Sequence, residues 1–273
     1  MSKPSSDIRL DTTVRMRAVR PSATQAAMHA ARKVPEITAL FWVIKLLTTG
    51  MGETTSDYLV YHINPYIAVT LGAGGLVISL LLQLYVRRYI PAIYWLAVVM
   101  VAIFGTMAAD VVHIVLGVPY LDSSVFFAVV LAIIFAAWYA SERTLSIHSI
   151  FTLRRELIYW ATIMATFALG TAVGDMTAST LGLGYLDSGV LFAALFGLPA
   201  LGYWLFKLNP IFAFWFAYIM TRPLGASFAD WFGKPRNVSG LGWGTGLISV
   251  VLAALIIGLV GYLSVTRPGR GDS

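Results

Sequence analysis

Four times along the chain a tryptophan is followed ten residues later by a glycine, and five residues after that by an aspartate. The copies are Trp42, Gly52 and Asp57; Trp95, Gly105 and Asp110; Trp160, Gly170 and Asp175; and Trp215, Gly225 and Asp230. Each copy of W-x9-G-x4-D lies in a long apolar stretch, and each is followed by a second apolar stretch without the motif. A self-similar unit of two long apolar segments points to an array of helical repeats.

A membrane-crossing helix takes about 20 mostly apolar residues. Eight such stretches run at roughly 35–63, 65–86, 91–117, 123–141, 155–182, 188–207, 210–233 and 241–265. The chain is 58% hydrophobic and 12% charged, with a mean hydropathy of +0.78. Soluble domains hold about 45–50% apolar and about 25% charged residues, so a water-soluble globular fold is excluded. The expected fold is all-α, a polytopic membrane protein of eight transmembrane helices in four two-helix repeats. Their bounds are about 34–88, 89–153, 154–208 and 209–265, flanked by a basic arm at 1–33 and a short tail at 266–273. Each repeat crosses the membrane twice, so all four enter in the same direction and are parallel repeats about an axis along the membrane normal. The odd spans carry the polar residues and the even spans are almost wholly apolar, which predicts odd helices inside and even helices facing lipid.

The net charge of +6 marks sidedness rather than nucleic-acid binding. Lys and Arg are enriched in cytoplasmic loops near span ends. Arg32, Lys33, Arg87, Arg88, Arg143, Arg154, Arg155, Lys207, Arg267 and Arg270 all fall on one side, while the other has mainly Lys234 and Arg236. Both termini are therefore expected in the cytoplasm. The first 33 residues hold no apolar core of a signal peptide. They read as a basic arm, with Ser22 to Lys33 as a short interfacial helix. The absence of cysteine excludes disulfides, thiolate metal sites and thiol catalysis.

The middle repeats are the most alike: Tyr120-Leu121-Asp122-Ser123 matches Tyr185-Leu186-Asp187-Ser188, and Gly105-Thr106 matches Gly170-Thr171. On these residues, and on Trp42, Trp95, Trp160 and Trp215 with their following Gly and Asp, the chain resembles a bacterial membrane-protein family. That family is defined by four tandem repeats, each of two transmembrane segments with a characteristic tryptophan, and is catalogued as a domain of unknown function. The resemblance covers about residues 34–265. It implies a multi-pass protein of the bacterial inner membrane and supplies no activity.

The acids give the candidate chemistry. Helical positions three or four apart share a face, which pairs Glu53 with Asp57 and Asp110 with His113. The glycines fall near mid-membrane and the aspartates roughly 7–8 Å further toward the exterior at 1.5 Å per residue. An ionised side chain at the centre of a spanning helix costs about 2.5–3.5 kcal/mol, so intramembrane acids face the bundle interior and mark ion or proton pathways. The candidate metal ligands are Glu53, Asp57, Asp110, His113, Asp175 and Asp230. Lys45 and Arg222 neutralise part of their charge, and Thr54, Thr106, Thr171 and Ser227 supply neutral oxygens. Carboxylates and one imidazole suit Mn²⁺, Mg²⁺ or Fe²⁺; Met51, Met107 and Met176 would widen the range toward later metals.

Each of these residues also has a plainer explanation. A tryptophan near the cytoplasmic boundary serves in an aromatic belt or in packing. The glycines, Gly52, Gly105, Gly170 and Gly225, permit close approach of helices. The aspartates serve as polar glue between helices, and Arg222-Pro223 is a kink with the arginine paired to an acid. Asp122 and Asp187 read as N-caps of spans four and six, and Asn64-Pro65 as an N-cap followed by a first-turn proline. His29 and His148 are cytoplasmic, and His62 falls in the external connection where the first span ends.

The expected function is proton-coupled export of a divalent cation, Mn²⁺ first, with the cation as substrate and no resident cofactor. A passive cation channel with an acidic ring, or a sensor or structural protein, is the alternative. No nucleophile with a base, phosphate loop or haem motif is present, so no enzyme is expected. The partners are the bilayer, the cation and protons, with homo-oligomerisation left open.

Overall fold

The computed structural model describes residues 33–266. The basic arm before Lys33 and the last residues, with Arg267 and Arg270, lie outside the described residues. Eight long helices follow one another: α1 Ala39–His62, α2 Pro65–Tyr85, α3 Pro91–Asp110, α4 Tyr120–Glu142, α5 Leu153–Asp175, α6 Gly184–Phe206, α7 Pro210–Gly233 and α8 Thr245–Thr266. At 1.5 Å per residue the shortest, of 20 residues, is roughly 30 Å long and matches a hydrocarbon core of about 30 Å. Six are long and apolar enough to cross a membrane. The other two, α1 and α7, are equally long and carry Lys45, Glu53 and Asp57, and Arg222 and Asp230. The protein is a multi-pass membrane protein.

Local chemistry sets several helix ends. Asn64 and Asn209 each cap a helix whose first residue is proline, accepting hydrogen bonds from Tyr66 N at 3.0 Å and from Ile211 N at 2.9 Å. Asp122 and Asp187, expected as N-caps, instead lie inside the first turns, because α4 starts at Tyr120 and α6 at Gly184. There they face the positive end of the helix dipole. Past Asp110 and Asp175 the helices widen into single π turns, Val111–Val115 and Met176–Thr180. Gly117 and Gly182, at matching positions with φ of +65° and +69°, then turn the chain where an L side chain would be strained.

The odd helices form a closed ring, α1 against α3, α3 against α5, α5 against α7 and α7 against α1. Each even helix packs chiefly on the odd helix of the following repeat: α2 on α3, α4 on α5, α6 on α7, and α8 back on α1. The four sequence hairpins are thus not the packing units; consecutive repeats interlock. The division into inner and outer helices follows the polarity of the spans. Of the membrane-length window of α5, 67% is buried in the protein, against 22% for α4 and 17% for α6 and α8. Apolar side chains such as Leu71, Ile78, Ile133 and Ile257 cover the outer surface, as lipid contact requires.

The ring is built in layers. A Cβ on Gly52 would collide with Ala102, on Gly105 with Phe167, on Gly170 with Arg222 and on Gly225 with Thr49. Each partner stands three residues before the glycine of the next inner helix, so one contact is used four times around the ring. The glycines are close-packing positions. The repeat tryptophans are not a lipid-facing belt: Trp95, Trp160 and Trp215 are buried and Trp42 is half-buried, in an aromatic cluster with Phe41, Tyr94, Tyr159 and Phe214. The Tyr94 and Tyr159 hydroxyls meet at 2.6 Å inside this cluster. At the same end of the bundle Lys33 Nζ donates to Glu156 Oε2 at 2.5 Å, while Gln83 donates to its other oxygen at 3.0 Å.

Candidate functional site

Arg222, on α7, crosses the axis of the ring. It is 1% exposed, and Pro223 after it leaves α7 continuous. Its Nη2 donates to Glu53 Oε2 of α1 at 2.6 Å, to Thr171 Oγ1 of α5 at 2.8 Å and to Thr106 Oγ1 of α3. One guanidinium therefore ties together all three other inner helices. Glu53, Thr106 and Thr171 each follow their repeat glycine directly, and the fourth such residue is Ala226. Arg222 approaches this layer from one turn away, passing over Gly170, whose missing side chain gives it room. A further turn away Lys45 is fully buried, its Nζ 3.9 Å from the centre of the Phe167 ring and 4.1 Å from that of Tyr218, with no hydrogen-bonding partner among the described residues. Ring faces on two sides attract its charge through their quadrupoles.

On the other side of Arg222 lie the acids. Glu53, Asp175 and Asp230, from α1, α5 and α7, each offer an oxygen within 4.8 Å of the others. Asp57 and Asp230 share Lys234, whose Nζ lies 3.3 Å from an Oδ2 of each. Asp230 is 2% exposed and its Oδ1 has no hydrogen-bonding partner among the described residues. Lys234 stands just past the end of α7. Burial works to lower its pKa, but the carboxylates of Asp230, then Asp57 and Glu53, outweigh burial and hold it well above the ordinary lysine value.

Of the six candidate ligands, Glu53, Asp175 and Asp230 converge, and Asp57 joins them through Lys234. Asp110, at the start of its π turn, is outside the close triad but interacts electrostatically with Glu53, Asp175 and Asp57. His113 is turned away: its Nδ1 lies 2.5 Å from the carbonyl of Val118 and its ring stacks on Tyr120 at 3.2 Å. Among the neutral oxygens, Thr106 and Thr171 bind Arg222 rather than an acid, Ser227 is buried, and Thr54 faces α8, where Ser249 donates to it at 2.9 Å. Of the methionines, Met107 packs against Gly72 and Met51 joins the core. Sequence reasoning placed Lys234 in an exterior loop and missed its return to the acids. The one signal was its spacing of four from Asp230, an i,i+4 pair that forms even though the helix ends at Gly233.

Four consecutive segments, residues 40–89, 93–144, 158–208 and 213–268, match the model of the Repeat of Unknown Function (DUF347) family, and together they span most of the chain. The chain belongs to that repeat family. No curated protein and no solved structure is similar enough to match it. The matched segments coincide with the four W-x9-G-x4-D units, each an inner helix and the outer helix after it.

Proposed function

We propose that this DUF347 protein exports a divalent cation, Mn²⁺ first, in exchange for protons across the bacterial inner membrane, with both termini in the cytoplasm. The observation that carries the reading is the convergence of Glu53, Asp175 and Asp230 from three helices of the inner ring, with an unpartnered oxygen on Asp230. Three carboxylates this close repel one another when ionised and are relieved by a bound cation or by protons, so the two compete for one set of oxygens. Hard oxygen donors without thiolate favour Mn²⁺, Mg²⁺ or Fe²⁺ over soft metals. The acids lie toward the end of the bundle that carries Lys234, away from the arginine-rich loops, which fits release outside. The proposed activity moves a cation and makes or breaks no covalent bond.

Arg222 favours a second reading, a membrane sensor or structural protein. Its bonds to three helices make Glu53 part of the framework, and on that reading the aspartates are polar glue. Metal content and growth tolerance distinguish the two, across Mn²⁺, Fe²⁺, Co²⁺, Ni²⁺, Zn²⁺ and Mg²⁺. Cells with no protein, wild type and Asp175→Asn are compared at equal membrane abundance. Export predicts lower content and higher tolerance for one metal, lost in the variant. No change for any metal removes the export reading.

A further inference from the structure

The buried acid cluster contains its own cations, and their number is informative. Among the groups in close contact, Glu53, Asp57, Asp175 and Asp230 bring four carboxyl groups, and Arg222 and Lys234 bring two cationic groups. Two formal negative charges remain. Without Lys234 the remainder would be three.

Lys234 is held in position by its backbone. The loop Pro235–Gly244 folds onto the end of α7, and the N–H groups of Leu241, Trp243, Gly244 and Gly242 bind the carbonyls of Trp231, Phe232, Gly233 and Lys234. A Cβ on Gly240 would collide with the Lys234 carbonyl, so only glycine lets the loop close there. From this anchor the ammonium meets Oδ2 of Asp57 and of Asp230, and the Tyr185 ring of α6 lies 5.3 Å away. Glu53, Asp110 and Asp175 act on it electrostatically from α1, α3 and α5. It leaves Oδ1 of the buried Asp230 without a partner among the described residues, and Asp230 offers an oxygen within 4.8 Å of oxygens of Glu53 and Asp175.

We propose that Lys234 is the specificity-determining residue of the cation site, a fixed internal cation that sets the remaining charge to the valence of a divalent ion. This inference rests on the cation-site reading above. A monovalent ion would leave one buried negative charge uncompensated, and a trivalent ion would leave one positive charge in excess. Either is costly where water is scarce. A divalent ion on the Glu53, Asp175 and Asp230 oxygens leaves none, with Lys234 retained on the Oδ2 side of Asp230.

The test uses the purified full-length protein in detergent micelles and measures apparent affinities for MnCl₂, NaCl and LaCl₃ from thermal stabilisation at constant ionic strength. Wild type and Lys234→Arg should prefer Mn²⁺ over Na⁺ by about 100-fold or more, and Lys234→Gln should raise the preference for La³⁺ over Mn²⁺ by about tenfold or more. Adding Asp57→Asn to Lys234→Gln returns the charge to the wild-type remainder and should restore the Mn²⁺ preference. Should Lys234→Gln alone not fold, this double variant decides. The proposal is overturned if wild type binds Na⁺ as well as Mn²⁺, if Lys234→Gln keeps the wild-type order, or if the double variant fails to restore it. Flux of Mn²⁺ into proteoliposomes separates the two ideas. Binding with the expected valence order but no flux removes the exporter and keeps the role of Lys234. Flux with no change of order in Lys234→Gln does the reverse.

Discussion

Arg222 is the residue on which the inner ring depends most. A buried ion pair is weak evidence of net stability, since desolvation offsets most of the attraction, but removing one partner costs about 3–5 kcal/mol because the other charge is left buried. Arg222→Met strands the Glu53 carboxylate and two threonine hydroxyls on three helices, so a large drop in the melting temperature of the detergent-solubilised protein is expected. Glu53→Gln added to it should recover part of the loss. Arg222→Lys should resemble Arg222→Met more than wild type, because an ammonium lacks the planar fork that reaches several oxygens at once. Gly170→Ala should destabilise as well, since its Cβ would collide with Arg222, whereas Gly74→Ala, with open space around it, should be close to neutral. An unchanged melting temperature for Arg222→Met would remove the arginine from this role. The sequence identified Arg222 as a counter-charge to one acid. Its bonds to Thr106 and Thr171 were not legible, because they depend on the order of helices around the ring, which spacing along one helix does not encode.

At the scale of elements the interlock of repeats is the unexpected feature. The polarity of the spans correctly separated inner from outer helices, since a charged inner face excludes lipid contact. It carried no information on which inner helix an outer one covers, because the membrane-crossing parts of α2, α4, α6 and α8 are almost wholly apolar. The same limit applies to Asp122 and Asp187: a carboxylate near a helix start reads as a cap until the turn before it proves helical. Asn64, followed by proline, left no such freedom and was legible. The π turns after Asp110 and Asp175 have no local signature in the sequence. The packing of α8 back onto α1 is directly testable, because the protein has no native cysteine. The Thr54 and Ser249 hydroxyl oxygens lie 2.9 Å apart, so Thr54→Cys with Ser249→Cys should form an intramolecular disulfide in membranes on mild oxidation, visible as a mobility shift reversed by reductant. The single variants provide the baseline. A doubly substituted protein that remains reduced would contradict the packing of α8 on α1.

For the whole molecule, the charge distribution and the acid cluster must be consistent with one orientation. Arg87, Arg88 and Arg143 in the connections, and Arg154 and Arg155 in the first turn of α5, lie at the end of the ring where Glu156 binds Lys33, and the acids lie toward the end capped by Pro235–Gly244. Basic loops are retained on the cytoplasmic side, so the acids should open outward. Arg88 and Asn237 are both exposed, on opposite ends of the bundle, and neither takes part in the acid cluster. In intact cells a membrane-impermeant maleimide should label Asn237→Cys and not Arg88→Cys, and after permeabilisation it should label both. The reverse pattern would invert the molecule and put Glu53, Asp175 and Asp230 nearer the cytoplasm. A carboxylate site near the cytoplasm would receive a cation from inside at its first encounter and would no longer favour release outside. The labelling experiment therefore decides the direction assigned to the site as well as the fold's sidedness. In either orientation an exported Mn²⁺ crosses the Arg222 layer: before reaching the acids if labelling is outward, and after leaving them if it is inward.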